Sequence, residues 1–175
     1  MGIGNRRYTP EAKWRSRERL TAAKDLPLRT CLAAGMHKRV GLLFSEAPFI
    51  QQLGIRIDAI TPGICRTSLD VTDWMRQQHG YVHACVQSTL ADHTAAGAAL
   101  SMGEPDSGVV TVEFKMNFLR PATAATLRCE ARVLRPGRTV TITEADVFAI
   151  HADGRESLTT KALLTMAVSP KFGRK

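Results

Sequence analysis

One long stretch of the chain is almost free of charge. Apart from its histidines, residues 77–103 contain a single formally charged side chain, that of Asp92. With 23% charged residues overall, a stretch of this length would hold about six. Such a segment is expected to be buried on most of its surface, where an isolated carboxylate lowers stability unless it has a partner or a function. Asp92 is therefore the first candidate functional residue.

The same stretch predicts a helix over about residues 84–102. Its apolar stripe recurs at helical spacing and consists of Val82, Val86, Leu90, His93, Gly97 and Leu100. A second face carries Asp92 among small side chains, which would let another backbone approach closely. Because Asp is a poor residue for a helix interior, helix propensity does not account for its position.

Two structural interpretations compete with a catalytic role for Asp92. The carboxylate could cap a helix that starts at His93, or it could accept buried hydrogen bonds. The capping interpretation is disfavoured because Ala95 occupies the position where a Glu or Gln would complete a capping box. The pattern therefore favours a catalytic carboxylate.

Length and composition indicate one domain with a full core. The chain has 175 residues, of which 44% are hydrophobic. No run approaches the roughly eighteen apolar residues that a membrane span needs. The N-terminus lacks the apolar stretch of a secretory signal, so we expect a cytoplasmic protein.

The cysteine pattern predicts free thiols in a reducing compartment. Four cysteines occur without a CxxC pair, at positions Cys31, Cys65, Cys85 and Cys129. Cys65 and Cys129 fall in predicted strands, where we expect them in the core. Cys85 lies near the start of the predicted helix, where a thiol can become nucleophilic. That role is disfavoured because no nearby carboxylate would orient His83 as its base.

A metal site is also disfavoured. His79 and His83 have HxxxH spacing, but Gly80 between them argues against one helical face, and no third ligand is evident. We expect no metal and no cofactor.

Positive charge is concentrated at the N-terminus. Residues 1–40 hold ten Lys and Arg against three acids, whereas residues 41–175 hold fourteen against thirteen. We therefore divide the chain into a basic extension, 1–40, and a domain, 41–175. Residues 11–24 predict a basic helix that could contact nucleic acid, anionic lipid or an acidic protein. A solvated extension is the favoured interpretation, so nucleic acid is not an expected partner.

The rest of the chain predicts an antiparallel sheet. A short helix ending at Gly54 precedes predicted strands at 55–60, 64–71, 110–118, 127–134, 139–150 and 158–168. In 110–118, apolar and polar residues alternate, which predicts a half-buried strand. A single apolar helix among six antiparallel strands can be covered only if the sheet curls around it. The predicted class is α+β, with a curved sheet around one long central helix.

This arrangement is that of the hotdog fold, and the residues resemble one of its families. The segment 79–92, HGYVHACVQSTLAD, resembles the G-x-[VL]-H-G-G-x6-D signature of the PaaI-like acyl-CoA thioesterases. Segments 110–122 and 133–148, VTVEFKMNFLRPA and VLRPGRTVTITEADVF, look like the later strands of that family. The resemblance covers roughly residues 44–168.

The resemblance implies roles for individual residues. Asp92 corresponds to the carboxylate that attacks the thioester carbonyl or activates water. His83 corresponds to the histidine near the departing sulfur, and the Ala84 N–H to the donor that polarises the carbonyl. Thr111 matches a residue that helps to hold water and carboxylate. The remaining candidates are Gln77, where many members have Asn, and the substrate-binding positions Cys85 and Asn117.

Two departures from the family pattern concern the start of the helix. Ala84 and Cys85 replace a double glycine, so a backbone with positive φ would be strained there. Gln77 keeps an amide but moves it by one methylene. These departures affect efficiency and substrate range more than the type of reaction.

The negatively charged part of CoA needs cations. The candidates are Arg135 and Arg138 around the Pro136–Gly137 turn, with Arg120 behind them. Solvated surface arginines at a turn are the competing interpretation.

Helix geometry indicates that an active site is shared between subunits. Ala84 and Asp92 would lie about 12 Å apart along one helix, so one carbonyl, about 1.2 Å long, cannot meet both. The resemblance likewise implies a homodimer, commonly paired into a tetramer. Two alternative functions in the same fold are a dehydratase or hydratase on acyl carriers and a non-catalytic acyl-CoA sensor.

Overall fold

The structure, a computed structural model, describes residues 34–104 and 106–172. The predicted basic helix at 11–24 and Cys31 lie outside these residues. The elements are α1 (Ala34–Ser45), α2 (Pro48–Leu53), β1 (Arg56–Thr61), β2 (Ile64–Asp70), α3 (Ala84–Ser101), β3 (Gly108–Phe118), β4 (Thr126–Arg135), β5 (Val140–Ile150) and β6 (Glu156–Ser169), with short 3-10 turns at Asp73–Met75 and Pro170–Phe172.

Helix α3 occupies the centre of the domain, as predicted. Its Leu90, Ala91, Ala95 and Ala98 are fully buried. The small side chains of α3 let the sheet approach the helix closely. At Gly97 an added Cβ would lie 2.9 Å from the sulfur of Cys65 on β2, so only hydrogen fits there.

The six strands form one antiparallel sheet around α3. Their order is β1-β2-β4-β5-β6-β3, and α3 lies against every strand. Strand β5 shows why the sheet has two distinct faces, because its buried residues alternate with partly exposed ones along its length. The outer face carries ion pairs such as Arg66–Glu130 at 2.6 Å and Lys161–Asp146 at 2.8 Å. The predicted hotdog class is confirmed.

Strand β3 differs from the half-buried strand that the sequence predicts. It forms one end of the sheet, and Val112 and Phe114 are 60% and 51% exposed. The pairing with β6 shifts between Thr111 and Glu113, which places Thr111 on the same face as Phe114. The predicted alternation therefore holds from Glu113 to Phe118, but the bulge reverses its phase before Glu113, and most side chains of this edge strand are exposed rather than half-buried.

Helix α1 was not predicted, and it crosses the proposed boundary between residues 40 and 41. Its Met36 and Val40 are 6% and 0% exposed. Arg39 donates to the carbonyls of Leu100 at 3.3 Å and Gly103 at 3.0 Å, and so caps the end of α3. The domain therefore includes residues that the sequence analysis assigned to the extension.

The buried cysteines belong to the core, as expected. Cys65 and Cys129 are free thiols with no exposed surface. Burial raises the pKa of Cys129 to about 12, so its thiol stays neutral. No helix within 34–104 and 106–172 is long and apolar enough to cross a membrane.

Candidate active site

Asp92 lies inside α3 and faces β3. Its Oδ1 accepts a hydrogen bond of 2.7 Å from the hydroxyl of Thr111. The bulge in β3 brings Thr111 to this face of the sheet. Since α3 begins at Ala84, Asp92 does not cap a helix starting at His93, and that interpretation is wrong.

The surroundings of Asp92 make its carboxylate more basic. Burial raises its pKa above the ordinary value, while the hydrogen bond from Thr111 and the neighbouring His93 act in the opposite direction. Burial also lowers the pKa of His93, whose Nε2 lies 3.1 Å from the carbonyl of Leu43. His93 is therefore held as a neutral side chain packed against α1.

A second set of groups lies at the start of α3. His83 precedes the helix, and its Nδ1 accepts a 3.1 Å hydrogen bond from the Cys85 N–H. Among the hydrogen bonds of the described residues, none uses the Ala84 N–H as a donor. This N–H is available at the positive end of the helix dipole and can stabilise a developing negative charge.

The substitution of the two family glycines causes no backbone strain. Among the residues that the structure describes, Asp106 is the one non-glycine with positive φ. Ala84 and Cys85 adopt ordinary helical conformations at the start of α3. The expected strain is therefore absent from both positions.

An open cleft of about 520 Å³ surrounds the start of α3. The residues that line it are Gln77, Gln78, Tyr81, Val82, His83, Ala84, Gln87, Phe118, Leu119, Arg120, Pro121 and Ala122. Gly80, at a φ of 81°, allows the turn that precedes this cleft. Within the turn, the Gln77 side-chain oxygen accepts a hydrogen bond from the His79 N–H. Cys85 is exposed next to the cleft but does not line it.

The proposed CoA-binding residues do not meet in one chain. Arg120 lines the cleft at the start of α3 and donates to the carbonyl of Leu158 at 3.1 Å. Arg138 lines a smaller cavity of about 140 Å³ beside Ala99 and Met102, at the other end of α3. A helix of 18 residues is about 27 Å long. Arg120 and Arg138 therefore lie near opposite ends of α3 within one subunit.

Two other candidates lie away from the cleft. Arg135 is exposed at the end of β4. Asn117 pairs with Lys161 on the outer face of the sheet, whereas the neighbouring Phe118 pairs with the buried Thr160. The side chain of Asn117 therefore lies on the face opposite to Thr111.

Sequence reasoning missed Gln87. This side chain is 4% exposed, lines the cleft and hydrogen-bonds to both β6 and the residue before His83. The sequence feature that could have identified Gln87 is a long amide side chain within an almost uncharged segment, one helical turn after His83. No group of three His, Cys, Asp or Glu in the described part of the chain could hold a metal ion.

Comparisons with known proteins place the chain among thioesterases. The family model described as thioesterase superfamily matches residues 79–153. A solved thioesterase family protein from Silicibacter pomeroyi is 36% identical, with a TM-score of 0.74, over 77% of this chain and 98% of that one.

Two further proteins extend this relationship. A 1,4-dihydroxy-2-naphthoyl-CoA hydrolase from Listeria monocytogenes is 29% identical over 121 residues, which are 69% of this chain and 95% of the relative. The E. coli PaaI protein from the phenylacetic acid degradation operon is 21% identical, with a TM-score of 0.68, over 78% of this chain and 95% of that one. At that identity the PaaI match shows a shared fold.

Proposed function

Since the chain belongs to the thioesterase superfamily and is a thioester hydrolase, we propose that it hydrolyses acyl- or aryl-CoA to the free acid and CoA. The aryl option is supported by the name of the Listeria monocytogenes relative, a hydrolase of an aromatic CoA thioester. We propose Asp92 as the catalytic carboxylate and Ala84 as the source of the N–H that polarises the carbonyl.

The half-buried Asp92 carries this proposal. A carboxylate with a raised pKa is a better base and nucleophile than an exposed one. The hydroxyl of Thr111 keeps one of its oxygens in place and leaves the other for the reaction. Asp92 then either takes a proton from the attacking water or attacks the carbonyl itself. In both routes the carbon–sulfur bond breaks and CoA leaves as the thiolate, near His83. When Asp92 attacks, the acyl group is left on its carboxylate as a mixed anhydride, which water then hydrolyses to the free acid and regenerated Asp92.

A free backbone N–H at the start of α3 supplies the second requirement. As the carbonyl becomes tetrahedral, its oxygen gains negative charge, which a fixed donor stabilises. The Ala84 N–H has this character, and the Gln77 amide lies in the same cleft. Arg120, Arg135 and Arg138 are the proposed contacts for the phosphates of CoA.

The active site is proposed to form between two subunits. Ala84 and Asp92 are about 12 Å apart along α3, too far for one carbonyl to touch both. Strand β3 supports the dimer, because along its 11 residues it pairs only with β6 among the described strands and exposes Val112, Phe114 and Phe118. A second copy paired along this edge would cover those side chains and bring a second α3 close to Asp92.

Release of free thiol from a panel of acyl-CoA substrates tests the function. Short, long and aryl acyl groups should be compared, because apolar identity of the lining does not set chain length. Hydrolysis of at least one member is expected, and failure with the whole panel would contradict the proposal. A single turnover in ¹⁸O-labelled water that places the label in the protein would establish attack by Asp92 itself, because water adding to the Asp92 carbonyl of the resulting mixed anhydride leaves ¹⁸O in its carboxylate.

A further inference from the structure

Gln87 forms a polar connection inside the apolar core. Its Nε2 donates to the carbonyl of Val82 at 3.3 Å, and its Oε1 accepts from the hydroxyl of Thr160 at 2.8 Å. Thr160 lies on β6 and has no exposed surface, while Gln87 is 4% exposed. A buried amide with both ends bonded has one defined orientation, because any rotation would leave polar groups unpaired.

The segment that Gln87 contacts leads directly to the proposed carbonyl donor. The Val82 N–H donates to Ala122 at 2.9 Å, and the His83 N–H donates to Met75 at 2.8 Å. Gln87, on α3, completes this set by donating to the Val82 carbonyl while it accepts from Thr160 on β6. Ala84 is two residues further along and begins α3, so the position of its N–H depends on this segment as well as on the helix.

We propose that Gln87 is a positioning residue for the Ala84 N–H, tying the Val82–His83 segment to Thr160 on β6. This inference rests on the proposed function for its catalytic consequence. Gln suits the position because one side of its amide donates to a carbonyl while the other accepts from a hydroxyl. An apolar side chain of similar length would fill the space but leave the Val82 carbonyl and the Thr160 hydroxyl without this partner.

Amide hydrogen exchange tests the structural part without requiring activity. In Gln87→Met, the amides of Val82 and His83 should exchange at least about tenfold faster than in the wild type, because local opening becomes easier. The amide of Ala145 on β5 should be unchanged. Thr143→Val is the control variant. Like Thr160, Thr143 is fully buried, and its hydroxyl donates to the Leu164 carbonyl, away from the cleft. Unchanged exchange at Val82 and His83 would overturn the inference.

Steady-state kinetics test the catalytic part. Gln87→Met should lower kcat by about tenfold to a hundredfold, the range for a misplaced donor, with KM within about twofold. Thr160→Val, which breaks the same connection from β6, should lower kcat in the same direction. Because both act through one connection, the double variant should be no worse than Gln87→Met alone. Thr143→Val should stay within about twofold of wild type.

The outcomes separate this inference from the proposed function. A rise in KM with kcat intact, additive losses in the double variant, or an equal loss in Thr143→Val would each reject Gln87 as a positioning residue. A wild-type protein that cleaves no thioester would reject the function, while hydrogen exchange would still decide whether Gln87 holds the segment. If Gln87→Met proved unfolded, Thr160→Val gives both readouts with a smaller change.

Discussion

At the scale of single residues, Asp92 is placed where its charge opposes folding. Burial raises its pKa, so ionising it in the folded protein costs more free energy than in the unfolded chain. The protonated Asp92 contributes fully to stability below the pKa that it has in the unfolded chain. This contribution is lost as pH rises through its higher pKa in the folded protein. The feature that makes Asp92 a better base therefore also makes it a site of lowered stability at neutral pH.

Replacing Asp92 by Asn separates these two effects. Asp92→Asn should lower thioester hydrolysis by about 10² to 10⁴, the range for loss of a positioned acid–base group. The variant should also have a higher Tm than wild type at neutral pH, with the difference disappearing in acid, where Asp92 is protonated in both states. Free-thiol assays and thermal unfolding across pH measure this. Activity within a few-fold of wild type would reject Asp92 as the catalytic group.

Removing the Thr111 hydroxyl should shift the pH dependence of the reaction. The hydrogen bond from Thr111 stabilises the ionised carboxylate and so lowers the pKa of Asp92. Without it the pKa rises further, and more Asp92 is protonated at a given acidic pH. In Thr111→Val, the acid limb of kcat/KM should therefore move to higher pH. A limb that stays in place would show that another group controls it.

At the scale of elements, the packing of α3 against the sheet depends on Gly97. An added methyl group there would lie 2.9 Å from the sulfur of Cys65 and 3.3 Å from the ring of Phe44. In α1, by contrast, nothing lies within 4 Å of the corresponding position at Gly41. The same substitution should consequently have opposite effects in the two helices.

Paired glycine-to-alanine variants test this difference. Gly97→Ala should destabilise the protein, since overpacking costs about 1–3 kcal/mol and exceeds a helix-propensity gain of about 1 kcal/mol. Gly41→Ala should stabilise it by about 0.5–1 kcal/mol. Denaturant unfolding gives both free energies. Equal shifts in the two variants would contradict the close approach of α3 to β2.

Truncation tests where the domain begins. Removing residues 1–33 should leave hydrolysis and Tm close to those of the full chain. Removing residues 1–40 should lower the free energy of unfolding by several kcal/mol, because burial of Met36 and Val40 contributes about 1.5–3 kcal/mol each. Arg39 would be lost as well, leaving the Leu100 and Gly103 carbonyls without their cap. Equal stability of the two truncated proteins would mean that α1 adds little to the domain.

At the scale of the whole molecule, the proposed site requires two copies of the chain. The two proposed functional groups lie at different positions along one helix, and within the described residues β3 leaves the apolar side chains of Val112, Phe114 and Phe118 exposed. A two-fold interface would pair the start of one α3 with Asp92 of the other subunit, twice per dimer.

Subunit exchange tests the shared site. Asp92→Ala removes the carboxylate, and Ala84→Pro removes the N–H at a helix position that tolerates proline. In a random mixture, half of the dimers are mixed, and each of these has one intact site, so about a quarter of wild-type activity should return. Both variants must first be shown to be folded and dimeric. Mixed dimers that remain inactive would contradict a site formed between subunits.

Local pattern accounts for much of the fold and singles out Asp92, the central residue of the proposed site. The apolar spacing of residues 84–102 predicts α3 to within one residue, and the alternating strands predict the six-stranded sheet. Asp92 stands out because it is the one carboxylate in a segment meant to be buried. These features repeat within a few residues, so they can be read without knowing what packs against them.

Tertiary structure decided the features that depend on distant contacts. A bulge in β3 turns Thr111 towards Asp92, and the edge position of β3 exposes residues that alternation assigned to the interior. The two ends of α3 separate Arg120 from Arg138, although the sequence places both near strand ends. Arg39 and Gln87 find partners 61 and 73 residues away, at Leu100 and Thr160. Hydrogen-bond partners at such separations are determined by how the sheet curves around α3, and no local sequence pattern specifies that curvature.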